Sequence, residues 1–160
     1  MRKKLIIWLF EQTQKMYIKF KNKKPWNLNN QQLLAFPEES FGNELGKFLQ
    51  KNGFELLPKV ERHDAYHLLT GYGTNVEDEI ALQYVCFGNG KRSPYLFGVI
   101  FIGTLLLPDY LNYYLKSYKL GKNCNTFHHF NYKNLLNHSL KDLREIIFNK
   151  QQINKIAFSA

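Results

Sequence analysis

Between Glu61 and Leu82 the chain reads ERHDAYHLLTGYGTNVEDEIAL. Two of its five histidines stand four apart here, with an aspartate between them and a glutamate twelve residues on. On a helix, His63 and His67 share one face at i,i+4, and Asp64 meets His67 at i,i+3. Glu79 could not join them on a continuous helix, because at ~1.5 Å per residue it would lie about 18 Å from His67. The chain must therefore fold back. Gly71 and Gly73 permit a left-handed cap and a tight turn. Thr74 with Glu77 three residues later reads as a capping box that starts a second helix. In an antiparallel hairpin of two helices, His67 and Glu79 then stand at about the same height. The stretch predicts a helix-turn-helix that brings His63, Asp64, His67 and Glu79 to one point. Neutral imidazole and carboxylate together suit one divalent ion, zinc first, with iron(II) or manganese as alternatives. Three or four protein ligands with a water would leave an open position, as catalytic sites require. An ordinary salt-bridged polar helix pair is the competing explanation.

Outward from the hairpin, the same punctuation predicts helices and no strands. Residues 3–20 carry Trp8, Phe10, Tyr17 and Phe20 among lysines, an amphipathic pattern, and KNKKPWNLNN reads as a linker. EESFGNELGKFLQKNG predicts a helix closed by Gly53. LPKVERHDAYHLLTG places Pro58 early in the first hairpin helix and Gly71 at its end. Ser93 and Pro94 cap and open a helix through Leu107. Pro108 opens another, with Gly121 as its terminator. NYKNLLNHSLKDLREIIFN is helical again, with a break near His138. Alternating β-branched runs are absent, so the expected fold is all-α: a single-domain helical bundle over residues 1–160, with 1–26 as an amphipathic helix and linker.

Composition narrows the class. With 160 residues and 44% apolar content the chain can bury a core, and its net charge of +9 suits an anionic partner of some kind. The charge alone does not make a nucleic-acid module, and none is recognisable, so no nucleic-acid partner is expected. Cys86 and Cys124 form no CxxC pair and no disulfide framework. The apolar run Leu5–Phe10 is too short and wrongly flanked for a signal peptide. The longest apolar run, Leu96–Leu107, stops at Pro108, short of the roughly 18 residues that suggest a membrane span.

Two familiar metal motifs do not fit. Zinc proteases place glutamate where Asp64 stands. HD-type phosphohydrolases need an upstream histidine, and His63 is the first in the chain. The pattern HDxxHx11E, which His63, Asp64, His67 and Glu79 match position by position, resembles the fourth Coq protein of ubiquinone (coenzyme Q) biosynthesis and its bacterial relatives. HDAYHLLTGYGTNVEDEIALQ resembles that family around the motif. FPEESFGNELGKFLQKNGF and SLKDLREIIFN resemble its upstream and C-terminal helices, with Arg144 as a matching position. The resemblance covers roughly residues 33–150. It implies an all-α fold, one metal described as zinc, and a groove for a polyprenyl chain. It also implies one of two functions. One is oxidative replacement of the ring carboxyl of a prenylated 4-hydroxybenzoate by hydroxyl. The other is a non-catalytic scaffold that holds prenyl lipid and organises quinone-synthesis enzymes at a membrane. The implied partners are a polyprenylated quinone precursor, other quinone-biosynthesis proteins, a membrane surface and a second copy of the chain. The implied location is cytoplasmic, peripheral to the inner membrane face.

Leu96, Phe97, Ile100, Phe101 and Leu105 are the expected lipid-binding residues, on a core helix that carries Gly98 and Gly103. PDYLNYYLKSY supplies an aromatic stripe for the core or a lipid belt. Adjacent His128 and His129 point to different faces and are not expected to share a metal. Arg62 could reach an anionic group near the site but is expected to face solvent, and the basic N-terminus could bind anionic lipid but is expected to be a solvated arm.

Overall fold

A computed structural model describes residues 1–157, so the last three positions of the expected domain lie outside the described residues. Among the described residues the regular secondary structure is helical, and the only β contact is an isolated bridge between Ser40 and Ser139. In chain order the helices are α1 (Arg2–Phe20), α2 (Asn30–Leu34), α3 (Phe41–Asn52), α4 (Glu61–Thr70), α5 (Val76–Gly88), α6 (Pro94–Leu106), α7 (Leu111–Asn123), α8 (Leu140–Ile147) and α9 (Lys150–Ala157). The all-α expectation holds.

Several helix ends follow the predicted chemistry. Gly53 and Gly71 cap α3 and α4 in the left-handed region, at φ 66° and 71°. Ser93 accepts from the Leu96 N–H and Pro94 opens α6. The predicted break near His138 is present between a 3-10 turn at Tyr132–Leu135 and α8.

Other ends differ, each for a physical reason. Pro58 does not open α4. Lys59 takes a left-handed φ of 72°, which turns the chain, and the helix begins at Glu61. The Thr74–Glu77 capping box does not form. Asn75 stands at the N-cap, and the Glu77 carboxylate is drawn away by Lys3 at 2.8 Å. Gly121 does not end a helix; α7 continues to Asn123. A Cβ on Gly121 would lie 2.0 Å from the Val85 carbonyl oxygen, and one on Gly88 would lie 2.2 Å from that of Tyr118. These two glycines let the backbones of α5 and α7 touch, which is the tightest packing in the fold.

The core has two apolar parts that share Tyr72 and Ile100 at their margins. The larger is built around Phe41, Leu45, Tyr66, Leu69, Phe127 and Tyr132. The smaller joins Ile6 of α1 to Ile80, Tyr84, Val99 and Tyr114. The N-terminal segment is therefore not a solvated arm. Ile6 is fully buried, and Tyr17 stacks on Tyr95 at 4.9 Å. Burying Ile6 contributes about 2 kcal/mol. The exposed Arg2–Asp109 pair contributes well under about 1 kcal/mol, so apolar contact is what docks α1.

The expected prenyl-binding helix divides in two. Leu96 is in the core and Ile100 packs against it, whereas Phe97, Phe101 and Leu105 are exposed. Gly103 packs against Ile80, but a Cβ on Gly98 would meet nothing within 4 Å, so only one of the two glycines is a close-packing device. Among the described residues no single helix is long and apolar enough to cross a membrane, though the bent pair Pro94–Leu106 and Pro108–Asn123 passes by length and composition.

Candidate metal centre

The α4–α5 hairpin brings together three of the four expected residues, His63, His67 and Glu79. The left-handed Gly71 stops α4, and α5 restarts at Val76 and runs back beside it. His63 Nε2 lies 2.9 Å from Glu79 Oε2, and His67 Nε2 lies 3.1 Å from Glu79 Oε1. The two Nε2 atoms are 3.1 Å apart. His63, His67 and Glu79 thus form a group that could hold a metal ion, with all three ligand atoms within 4.8 Å of one another. Tetrahedral ligands at about 2.0–2.1 Å from zinc are separated by about 3.3 Å, only slightly more than these distances.

The chemistry of the donors supports that fit. His67 Nδ1 lies 3.1 Å from the Tyr72 carbonyl oxygen, which can only accept, so the Nδ1–H donates to it. In neutral His67 the lone pair is then on Nε2, aimed at a carboxylate oxygen and at a second imidazole nitrogen. Three electron-rich atoms at such range repel unless a proton or a cation stands among them. A carbonyl that fixes the tautomer of a histidine ligand is the usual support of a metal site. Phe48 adds to it by stacking on the His67 ring at 6.0 Å. Sequence reasoning missed both Tyr72 and Phe48. The first was within reach of it, since Tyr72 follows the turn glycine five residues after His67. The second was not, because Phe48 arrives from α3.

The protonation balance reflects the same crowding. Burial works against the Glu79 charge, but the imidazoles of His63 and His67 win and hold its carboxyl below the usual carboxylate range. Burial likewise works against charging His67, and Glu79 more than offsets it, so His67 is raised above the usual histidine value. Asp64 stands outside the three-ligand group. Burial pushes its carboxyl up to about 6, against the opposing pull of both histidines. One residue on from His63, its side chain leaves α4 about 100° around the helix, which is why it does not converge as closely.

Arg144 has a clear role. Its Nη2 and Nε donate to the Leu68 and Leu69 carbonyls at 2.6 and 3.2 Å. These are among the carbonyls that the end of α4 leaves without a helical partner. The guanidinium of α8 thereby fixes the helix that carries both histidines.

The ligand group opens into a cleft of about 700 Å³ that includes Ile7 and Phe10 of α1, Phe54, Leu57 and Val60 of the α3–α4 loop, and Tyr95. Asp64 also lines it. None of the five expected lipid-binding residues does, so the apolar wall beside the ligands comes from α1 and the α3–α4 loop instead of α6. Arg62 is partly buried and donates to the His128 carbonyl at 3.3 Å, contrary to the expected solvent position.

An all-α bundle with an HDxxHx11E hairpin defines a class of helical proteins with a histidine–carboxylate centre. The family described as Coenzyme Q (ubiquinone) biosynthesis protein Coq4 matches residues 58–151, and the chain belongs to it. No curated protein sequence matches the chain. Among solved structures, it is similar to the crystal structure of a candidate ubiquinone biosynthesis protein from Nostoc punctiforme. The TM-score is 0.63, with 18% identity over 91% of this chain and 80% of that one. At that identity the likeness concerns the fold.

Proposed function

We propose that this member of a ubiquinone-biosynthesis family binds a polyprenylated 4-hydroxybenzoate-type precursor in the cleft beside the ligand group. There it replaces the ring carboxyl by hydroxyl. The observation that carries this reading is the His67 lone pair, fixed by the Tyr72 carbonyl and aimed with His63 and Glu79 at one point that opens into a largely apolar cleft. One divalent ion, zinc by the donor set or iron(II) or manganese in its place, supplies electrophilic charge for the ring acid or phenol oxygen. His63, His67 and Glu79 hold it, and Asp64, which lines the same cleft, is available to take a proton. Ile7, Phe10, Phe54 and Leu57 exclude water and hold the start of the prenyl chain. The conversion releases the carboxyl as carbon dioxide and adds one oxygen atom to the ring. With dioxygen as oxidant it also consumes two electrons and two protons from an external donor and yields one water.

A second reading is a non-catalytic scaffold in which the metal clamps the hairpin and the protein organises other quinone-synthesis enzymes. The exposed Leu5 and Trp8 of α1 and Phe97, Phe101 and Leu105 of α6 favour a membrane-facing role. That role suits either reading, on the cytoplasmic side of the inner membrane. The three-ligand group at a cleft, with a coordination position left over, favours the enzyme.

Glu79→Gln separates the two, because it keeps size and removes charge. Under the enzyme reading, the variant keeps wild-type helical content and prenyl-lipid retention, and turnover of a prenylated hydroxybenzoate falls by orders of magnitude. Under the scaffold reading, melting temperature and lipid retention fall together. No turnover by metal-loaded wild type on any prenylated ring acid, with dioxygen and reductant present, ends the enzyme reading.

A further inference from the structure

The other flank of His63 borders a second cavity, of about 380 Å³. Five cations line it, and four of them come together from three parts of the chain; the fifth, Arg92, donates to the Phe87 and Lys91 carbonyls. Lys21 and Lys23 follow α1, Arg62 sits on the first turn of α4, and Lys91 lies in the α5–α6 turn. None of the four belongs to an ion pair among the described residues. Lys21 and Lys91 lie over the Tyr17 and Tyr66 rings at 4.8 and 4.9 Å, which orders them without neutralising them. The carboxylate that Lys21 feels is Glu61, whose Oε1 already accepts the Trp26 N–H at 2.8 Å.

This convergence carries an electrostatic cost. Burial and the charges of Lys23, Lys91 and Arg62 push Lys21 down to about 8. Burial lowers Lys23 and Lys91 as well, and each feels Arg62. Cations brought together and partly withdrawn from water without a counter-charge, Lys23 the most exposed of them, destabilise the chain that holds them.

A second, independent observation points into the same cavity. Gln83 lines it and is 2% exposed, yet its Oε1 has no hydrogen-bond partner among the described residues. A buried amide left unpartnered is costly in a folded chain. Turning the amide by half a rotation directs its two N–H groups where the oxygen now points. A residue placed for packing alone would be leucine.

We propose that this cavity binds the phosphate dianion of an organic phosphate, held by Lys21, Lys23, Arg62 and Lys91, with the Gln83 amide donating to it. Four cations exceed what a single carboxylate neutralises, and phosphate offers several acceptor oxygens on two charges. The volume suits a headgroup. The phosphate comes either from a free metabolite or from a phosphomonoester lipid. His63 and Tyr95 border both cavities, so the bound phosphate lies beside the metal cleft. The inference does not require the metal.

The test is calorimetric titration of the full chain with inorganic phosphate at constant ionic strength. It is paired with flotation on phosphatidylcholine vesicles carrying phosphatidic acid or, at matched charge, phosphatidylglycerol. Wild type is compared with Lys21→Gln/Lys91→Gln and with Gln83→Leu, and metal content is measured on every sample. Saturable phosphate binding that weakens about tenfold or more in the double variant supports the site and a free-phosphate source. Flotation selective for phosphatidic acid and lost in the double variant, without calorimetric binding, supports the site and a lipid source. Gln83→Leu weakens binding while its melting temperature in phosphate-free buffer stays level or rises. Absence of binding in both arms overturns the proposal, as does binding that both variants retain. Unchanged metal content in the variants keeps that failure separate from a failure of the metal centre.

Discussion

Helix α5 is used in opposite ways on its two sides. Toward α4 it offers Glu79 to two imidazoles, and those side chains keep a quarter of their surface in water at His63 and Glu79. Toward α7 it offers bare backbone where Gly88 and Gly121 let the two helices touch, flanked by Tyr84 on Tyr114 and Phe87 against Tyr118. The first side is loosely packed and specific in its chemistry. The second is tightly packed and carries no group of candidate metal ligands among the described residues. Loss of the first should disable the site and spare the fold, and loss of the second should do the reverse.

The largest expected effect on stability is at the glycine crossing. Gly121→Ala forces a methyl group against the Val85 carbonyl, a backbone atom that cannot rotate away. It should cost about 3 kcal/mol or more and lower the melting temperature by roughly 6–12 °C. Gly98→Ala is the control in the same melts. It meets open space within α6 and should stabilise slightly. Equal melting of the two variants would break the comparison.

A smaller effect is expected where α8 supports the hairpin. Arg144→Met removes the donors to the Leu68 and Leu69 carbonyls while keeping most of the aliphatic stem. It should cost about 1.5–3 kcal/mol in thermal or urea unfolding. It should also weaken metal binding, because the helix that carries both histidines loses its end support. Loss of stability with unchanged metal affinity would show that the hairpin is positioned without it.

The pH dependence sharpens the contrast further. Without metal, the lowered Glu79 gives stability present above its unfolded value near 4.5 and lost as pH falls through its lower folded value. The raised His67 gives stability present below its unfolded value near 6.5 and lost as pH rises through its higher folded value. Metal-free protein should therefore be best held at this pair between about pH 4.5 and 6.5. Metal needs His67 neutral, so the added stability from zinc should grow from pH 6 to pH 8. Thermal melts with and without zinc across that range check it. A zinc effect that declines with rising pH would contradict the ligand role of His67.

The hairpin was legible in the sequence because everything that makes it is local. An i,i+4 histidine pair, a glycine at the left-handed cap and a helix restart lie within twenty-two residues. Even there the capping box failed, since Lys3, 74 positions away, holds Glu77. Gly121 was misread for a related reason. A glycine at a helix end and a glycine at a helix crossing look alike until the partner backbone is known. The docking of α1 over the cleft depends on Ile6 meeting α5 and α6 residues that only the tertiary fold brings near. The separation of Leu96 and Ile100 from Phe97, Phe101 and Leu105 likewise depends on which side of α6 faces the core. Uniform apolarity around that helix carries no such direction.

The central claim is that the α4–α5 hairpin holds a divalent ion through His63, His67 and Glu79. Native mass spectrometry of the full chain, purified without added metal and then incubated with zinc or iron(II), tests it most directly. The account predicts one ion per folded chain in the wild type and loss of most of it in His67→Ala, with the charge-state distribution of a folded protein in both. A folded wild type that takes up neither ion, or a His67→Ala variant that binds as well as wild type, would contradict it.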